Sequence, residues 1–106
     1  MGLAKKIYEV TSQFPAKENY GLSSQIQRCA VSVSANIAEG QARNSPKEFK
    51  YFLGISLGSL AELETLLTIA HEISYIPQST LEGVCSLTDE ITRIIKGIIK
   101  HLSKPD

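Results

Sequence analysis

Tryptophan is absent from the 106-residue sequence, and methionine, cysteine, histidine and proline are scarce, with one, two, two and four residues. Two cysteines, at positions 29 and 85, are too few for a disulfide scaffold, and the sequence shows no secretory leader and no membrane-length apolar run. We therefore expect a protein of the cytoplasm that does not enter a membrane. Basic and acidic residues number 11 each, so the net charge of zero implies no global attraction to nucleic acid.

The residue groupings that catalysis and metal binding require are also missing. His71 and His101 are isolated, and no cysteine or carboxylate stands near either at the spacing of a metal site. No glycine-rich phosphate loop, nucleophile elbow or paired-carboxylate pattern is present. Cys29 and Cys85 lie in helical stretches, and we interpret them as packing residues rather than redox or nucleophilic groups. We expect no catalytic residue, no cofactor and no metal.

Apolar residues recur at spacings of three and four along four segments that prolines separate, which predicts an all-α fold. The helices are predicted over about residues 3–13, 24–41, 46–73 and 79–102. Short links between long amphipathic helices favour an antiparallel up-down four-helix bundle with a short first helix. The chain, residues 1–106, is then a single domain.

Three of the predicted helices carry a capping signal at their start. Ser45 followed by Pro46 and Glu48 is the strongest, because it combines an N-cap, a proline at the first helical position and a capping-box carboxylate. The second helix offers Ser23 or Ser24 as its N-cap, and the fourth offers Ser79.

The second and third helices each carry two apolar faces, although a bundle helix needs one. On the third, the core face is Phe49, Leu53, Leu60, Leu63 and Leu67, and the second face is Tyr51, Ile55, Leu66, Ile69 and Ile73. On the second, Val31, Ala35, Ala38 and Ala42 lie opposite the core stripe. Two interpretations stay open. We favour a homo-oligomer interface, because four short helices cannot easily cover both faces, and the alternative is burial on two sides within the bundle.

A polar line follows the second helix between its apolar faces: Gln25, Arg28, Ser32, Asn36, Glu39 and Arg43. It is either a solvated stripe or a row of interhelical contacts. Because Glu62 lies among apolar residues on the third helix, we hypothesise a partly buried Arg28–Glu62 ion pair, within or between subunits, that fixes helix register. Gly54, Gly58 and Ser59 indicate a close helix crossing, or alternatively a backbone approach for a small ligand.

Charge is segregated along the chain. Residues 1–40 sum to +1, 41–58 to +2, 59–90 to −6 and 91–106 to +3. In an up-down bundle this arrangement predicts a basic end that could follow nucleic-acid phosphates by counterion release, formed by Lys5, Lys6, Arg43, Lys47, Lys50, Lys96, Lys100 and Lys104. The alternative is that these side chains are solvated and only keep the protein soluble.

Two strings, Asn36-Ile37-Ala38-Glu39-Gly40 and Gly58-Ser59-Leu60-Ala61-Glu62-Leu63, together with Phe14-Pro15 and Tyr20-Gly21-Leu22, carry a family resemblance. The sequence resembles the bacterial 23S rRNA-intervening sequence proteins. The resemblance implies a four-helix bundle that assembles as a ring, commonly a homopentamer, without established catalytic activity. Its relatives include accessory proteins of diversity-generating retroelements, which bind nucleic acid and a reverse transcriptase. It assigns to interhelical or intersubunit packing the matched positions Gln25, Arg28, Ser32, Asn36, Glu39, Gly40, Gly58, Ser59 and Glu62.

Two functions are therefore predicted. The first is a non-enzymatic, self-associating bundle that contacts RNA or a nucleoprotein through its basic end. The alternative is a protein-interaction or structural oligomer with no affinity for nucleic acid.

Overall fold

The computed structural model describes residues 2–105, and within that range it contains helices and turns but no strand. The α-helices are α1 (Gly2–Thr11), α2 (Leu22–Gln41), α3 (Pro46–Glu72) and α4 (Gln78–Leu102), and a short 3-10 helix, Ala16–Glu18, lies between α1 and α2. They form a bundle 51 Å long and 24 by 18 Å across. The predicted all-α four-helix bundle is confirmed.

The helices α2 and α3 form the most extensive contact in the bundle, and they run antiparallel. Gly40, near the end of α2, lies against Phe49 near the start of α3. Further along, Ser56 Oγ donates a hydrogen bond to the Val33 carbonyl at 2.9 Å, and the two residues are fully buried. α3 also packs against α4, and α1 packs against α2 and α4.

The core lies along the axis between the four helices. Its largest fully buried apolar side chains are Leu3 and Ile7 of α1, Ile26 and Val33 of α2, Leu53, Leu63 and Leu67 of α3, and Val84 and Ile95 of α4. Burying a side chain of this size contributes about 1.5–3 kcal/mol. The predicted core face of α3 is therefore buried, although Phe49 at its beginning is only half-buried.

The start of α3 agrees with the sequence signal. Ser45 Oγ accepts a hydrogen bond from the Glu48 amide at 3.3 Å, and Pro46 occupies the first helical position. The reciprocal half of the capping box is replaced, because Glu48 Oε1 lies 3.9 Å from Nη1 of Arg43. The helix still begins where the sequence predicts.

The predicted caps of α2 and α4 are wrong. α2 begins at Leu22, whose amide donates to Glu18 Oε1 at 3.2 Å, so a carboxylate from the preceding 3-10 helix replaces the serine cap. Ser23 lies inside the first turn and is buried. α4 begins at Gln78 after Pro77 and has no side-chain cap, so Ser79 already belongs to the helix. The first helix also ends at residue 11 rather than 13.

We call the end of the bundle where the α1–α2 and α3–α4 turns meet the double-turn end. There the hydroxyl of Tyr75 donates to Glu18 Oε2 at 2.7 Å, and the rings of Tyr75 and Phe14 lie 5.2 Å apart. The turn after α3 places Ser74 at φ 67°, a left-handed conformation that favours glycine. The opposite end, formed around the α2–α3 turn, is called the single-turn end.

The expectation that the sequence contains no membrane-length apolar run is wrong for α3, which by length and composition alone would suffice to cross a bilayer. A core helix of a water-soluble protein can meet the same criterion. In α3, 28% of the apolar stretch is buried inside the bundle, and Leu53, Leu63 and Leu67 are among the buried residues of the helix.

Candidate interaction surfaces

The first candidate surface is the α2–α3 outer face, which we define by Val31, Ala35, Ala38 and Ala42 of α2 with Ile55, Ile69 and Ile73 of α3. The four branched side chains are 45%, 37%, 41% and 48% exposed, in chain order, and the three alanines are exposed as well. These residues are therefore not buried on two sides within the protomer. Leu66, which the sequence pattern grouped with them, is half-buried and packs against the core.

A polar cleft of about 330 Å³ lies between α2 and α3 and is lined by Gln25, Arg28, Cys29, Ser32, Ser59 and Glu62. The hydroxyls of Ser32 and Ser59 are 2.9 Å apart and share a hydrogen bond between the helices. Asn36 Nδ2 donates to the carbonyl and the hydroxyl of Ser32, at 2.9 and 3.1 Å. Three of the motif positions thus form an interhelical hydrogen-bond network.

Arg28 and Glu62 line this cleft but do not pair, so the ion pair predicted within one chain is wrong. Arg28 Nη2 instead donates to Ser24 Oγ, one turn earlier on the same helix, at 3.1 Å. Over residues 2–105, the ion pairs within 4.0 Å are those of Arg43 with Glu39 and Glu48. Arg28 and Glu62 therefore have no ion-pair partner among these residues.

Cys29 is buried in the core beside Glu62. Burial, together with the neighbouring carboxylate, raises the pKa of the Cys29 thiol to about 11. The pKa of Cys85 is also raised, first by burial and then by Glu64 and Asp89. A thiol that holds its proton at neutral pH is a poor nucleophile. In the described part of the chain no group of three His, Cys, Asp or Glu residues could hold a metal ion.

The basic residues do not gather at one end as predicted. Lys6 lines a groove with Ile76 and Thr80 at the double-turn end, and Lys5 precedes it on the same short helix. The physical reason is that α1 has only ten residues, about 15 Å, and cannot reach the far end of the 27-residue α3.

Lys96 also lies outside the basic end, although the sequence predicted it there. It lines a groove between α3 and α4 together with Leu57, Glu64 and Asp89, so two carboxylates share its surroundings. Arg43, Lys47 and Lys50 remain at the α2–α3 turn, with Lys100 and Lys104 at and beyond the end of α4.

The second candidate surface is a cavity of about 440 Å³ at the single-turn end, lined by Arg43, Lys47, Glu48, Tyr51 and Phe52. The Tyr51 side chain is 66% exposed, and its ring meets that of Phe52 edge to face at 5.3 Å. The Arg43 guanidinium lies 5.1 Å from the centre of the Phe52 ring. Sequence reasoning placed Tyr51 with the oligomer face and missed this grouping, although Lys47 and Tyr51 are four residues apart on one helix face.

The glycines differ in what surrounds them. A Cβ on Gly40 would lie 2.8 Å from Phe49 Cδ1 and 3.0 Å from Phe52 Cβ, so Gly40 allows α2 and α3 to meet closely. Gly54 and Gly58 have no such neighbour within 4 Å. The predicted close crossing at these two residues is therefore absent within the chain, and the polar cleft reaches Ser59 but neither glycine.

Comparison with known proteins gives a matching family and similar solved structures. The family model of 23S rRNA-intervening sequence proteins matches residues 1–97. The chain is similar to a crystal structure from Bacteroides thetaiotaomicron, described as a protein with unknown function from the S23 ribosomal protein family, with 27% identity and a TM-score of 0.82 over 93% of each chain. No curated protein matches the chain. Neither description gives a ligand or a reaction.

Proposed function

Because the chain belongs to the 23S rRNA-intervening sequence protein family, we propose that it acts by self-association in the cytoplasm, as a ring of five copies, rather than by catalysis. The observation that carries this proposal is the α2–α3 outer face. Val31, Ile55, Ile69 and Ile73 lie on two adjacent helices, and each is more than a third exposed. Exposed apolar side chains that recur along two packed helices favour a protein interface, whereas single exposed apolar residues are common everywhere.

The polar cleft beside this face supports the same proposal. Arg28 and Glu62 are charged, line one cleft and lack an ion-pair partner among residues 2–105. A second copy that covers the outer face would remove both groups from water, which is costly unless each finds an opposite charge. We therefore propose that Arg28 of one copy pairs with Glu62 of the next, which would fix the register between copies.

Sedimentation velocity on purified protein tests self-association. We expect the sedimentation coefficient of the wild type to correspond to a mass about five times the 11.6 kDa of one chain. Ile69→Glu places a charge on the outer face and should shift the protein to smaller species, with its helical circular dichroism retained. Thr68→Glu is the matched control, because Thr68 is exposed at the preceding position of the same helix but lies outside the outer face. A monomeric wild type at micromolar concentration would refute the proposal.

The second part of the proposed function is contact with RNA or a nucleoprotein at the single-turn end. Lys47 and Lys50 form no ion pair within 4.0 Å among the described residues, and a ring would repeat them in every copy. Arg43 contributes less, because Glu39 and Glu48 offset its charge. The alternative, a structural oligomer without nucleic-acid affinity, is favoured by the distance of Lys5 and Lys6 from this end.

A salt titration separates these two functions. Phosphate contacts weaken steeply as salt rises, since binding releases counterions. We expect labelled RNA to bind at low salt with a negative slope of log affinity against log salt, and the double variant Lys47→Glu with Lys50→Glu to abolish that binding without dissociating the oligomer. If RNA and DNA both fail to bind at low salt, the structural oligomer is the correct function.

A further inference from the structure

We propose that the cavity at the single-turn end binds an unpaired nucleotide of a single-stranded nucleic acid, with the base stacked on Tyr51 and a neighbouring phosphate held by Lys47. This inference rests on the nucleic-acid contact proposed above and specifies its substrate class. The cavity, about 440 Å³, is open to solvent, so a chain of nucleotides could reach it from outside the bundle.

The aromatic side chain is presented for stacking. Tyr51 is 66% exposed, and Phe52 meets its ring edge to face, at an angle of 82° between the ring planes. An edge-to-face neighbour steadies the Tyr51 ring without stacking on it in parallel. An exposed aromatic ring next to a lysine suits an unpaired base, because every base offers a π face whereas a phosphate alone offers none.

Among the charged side chains around the cavity, some are engaged in contacts within the protein and one is available to a ligand. Arg43 is already occupied: it pairs with Glu39, lies 3.9 Å from a Glu48 oxygen and stacks over Phe52. The carboxylate of Glu48 is thereby directed to Arg43 as well. Lys47 has no such partner among residues 2–105, so its ammonium group is the free cation of the cavity and the natural phosphate contact.

A duplex does not fit this arrangement. Its bases are paired and stacked on one another, so the Tyr51 ring could reach a base only if the base left the helix. The same cavity should therefore prefer single strands, and it should tolerate any sequence, because stacking reads no hydrogen-bonding edge.

The test uses the full chain with tryptophan introduced as a reporter. Because the sequence contains no tryptophan, Tyr51→Trp creates a single fluorophore in the cavity. Tyr20→Trp is the matched control, since Tyr20 is 98% exposed and lies before α2 at the double-turn end. Each variant is titrated at low salt with a ten-nucleotide oligouridylate, with the same length of duplex RNA and with inorganic polyphosphate.

We expect the oligouridylate to quench Tyr51→Trp but not Tyr20→Trp, and we expect duplex RNA and polyphosphate to leave both unquenched. Tyr51→Ala should weaken oligouridylate binding by roughly 5- to 150-fold, which is the loss that corresponds to one base stack. Tyr51→Phe keeps an aromatic ring and should bind the oligouridylate as tightly as the wild type does. Sedimentation of Tyr51→Ala is measured in parallel and should equal wild type.

Different results would contradict different parts of the proposal. If wild type binds the oligouridylate but Tyr51→Trp is not quenched and Tyr51→Ala binds normally, the base site is wrong while the basic contact stands. Equal quenching by duplex RNA or polyphosphate would also overturn the base site. A Tyr51→Ala protein that dissociates would assign Tyr51 to the oligomer interface instead. If no nucleic acid binds wild type, both the base site and the basic contact fail, and self-association is unaffected.

Discussion

The two ends of the bundle are built from opposite kinds of contact. At the double-turn end, Tyr75 reaches Glu18 across 57 positions of sequence, and Phe14 packs on the same ring. At the single-turn end, Arg43 pairs with Glu39 one helical turn away, and its other partners lie within ten residues. The side-chain contacts across the double-turn end join distant parts of the chain, whereas the charged contacts at the single-turn end are local and shape a surface.

This difference separates stability from recognition. Phe14 is buried against Tyr75, and a carboxylate at the same place caps α2, so a change at the double-turn end should act on folding. Tyr51 and Lys47 lie in an open cavity, and a change there should act on binding.

The largest effect on stability is expected from replacing a phenylalanine by alanine at the double-turn end, and the same change at the single-turn end is the comparison. Phe14 is 7% exposed, and Phe14→Ala should lower the free energy of unfolding by about 3–5 kcal/mol, because burial and packing of the ring are lost together. Phe52→Ala should cost less than half of that, since Phe52 is only half-buried. Urea denaturation at one fixed protein concentration measures both, and a larger loss for Phe52→Ala would contradict the assignment of the two ends.

The second largest effect on stability is expected from adding a methyl group to a glycine. Gly40→Ala places Cβ 2.8 Å from Phe49 and 3.0 Å from Phe52, and overpacking of this kind should cost about 1–3 kcal/mol. Gly58→Ala is the control, because nothing lies within 4 Å and alanine favours a helix by up to about 1 kcal/mol. Thermal melts should therefore move in opposite directions. If both variants melt like wild type, Gly40 is not required for the close approach of α2 and α3.

Much of the fold could be predicted from the sequence. The apolar spacing of Leu53, Leu60 and Leu67 has the period of a helix, and the Ser45-Pro46 pair marks one start by local chemistry alone. Local rules failed at α2, where the cap is supplied by Glu18, a residue before the helix whose position depends on the turn it occupies. A sequence pattern does not contain that geometry.

The candidate sites were harder to predict for the same reason. The exposed face of α3 follows from periodicity, so Ile55, Ile69 and Ile73 could be identified. The basic end required knowing how far each helix extends, and the short α1 leaves Lys6 at the wrong end. The grouping of Arg43 with Tyr51 depends on the direction in which the α2–α3 turn sends the chain, which residue types alone do not specify.

A smaller, pH-dependent effect is expected at the double-turn end. Hydrogen bonds from the Tyr75 hydroxyl and, to a smaller extent, from the Leu22 amide hold the pKa of Glu18 below its usual 4.5. The hydrogen bond between Tyr75 and Glu18 also raises the pKa of Tyr75. A lowered carboxyl pKa stabilises the fold above pH 4.5, and this contribution is lost as the pH falls through the pKa of the folded state. Glu18→Gln should therefore melt below wild type at pH 7, with a gap that narrows towards pH 3. A gap that does not change with pH would show that the charge of Glu18 is irrelevant.

The smallest effect on stability, and the clearest contrast between the ends, is expected from Glu39→Gln. The Arg43–Glu39 pair is about half exposed, so its loss should cost less than about 1 kcal/mol, and less still at high salt. Removing the carboxylate also frees Arg43 for phosphate, so low-salt RNA binding should become tighter. Glu9→Gln makes the same change of charge on α1, near the double-turn end, and should leave RNA binding unchanged. Equal tightening by both variants would mean that RNA responds to the net charge of the protein and not to the single-turn end.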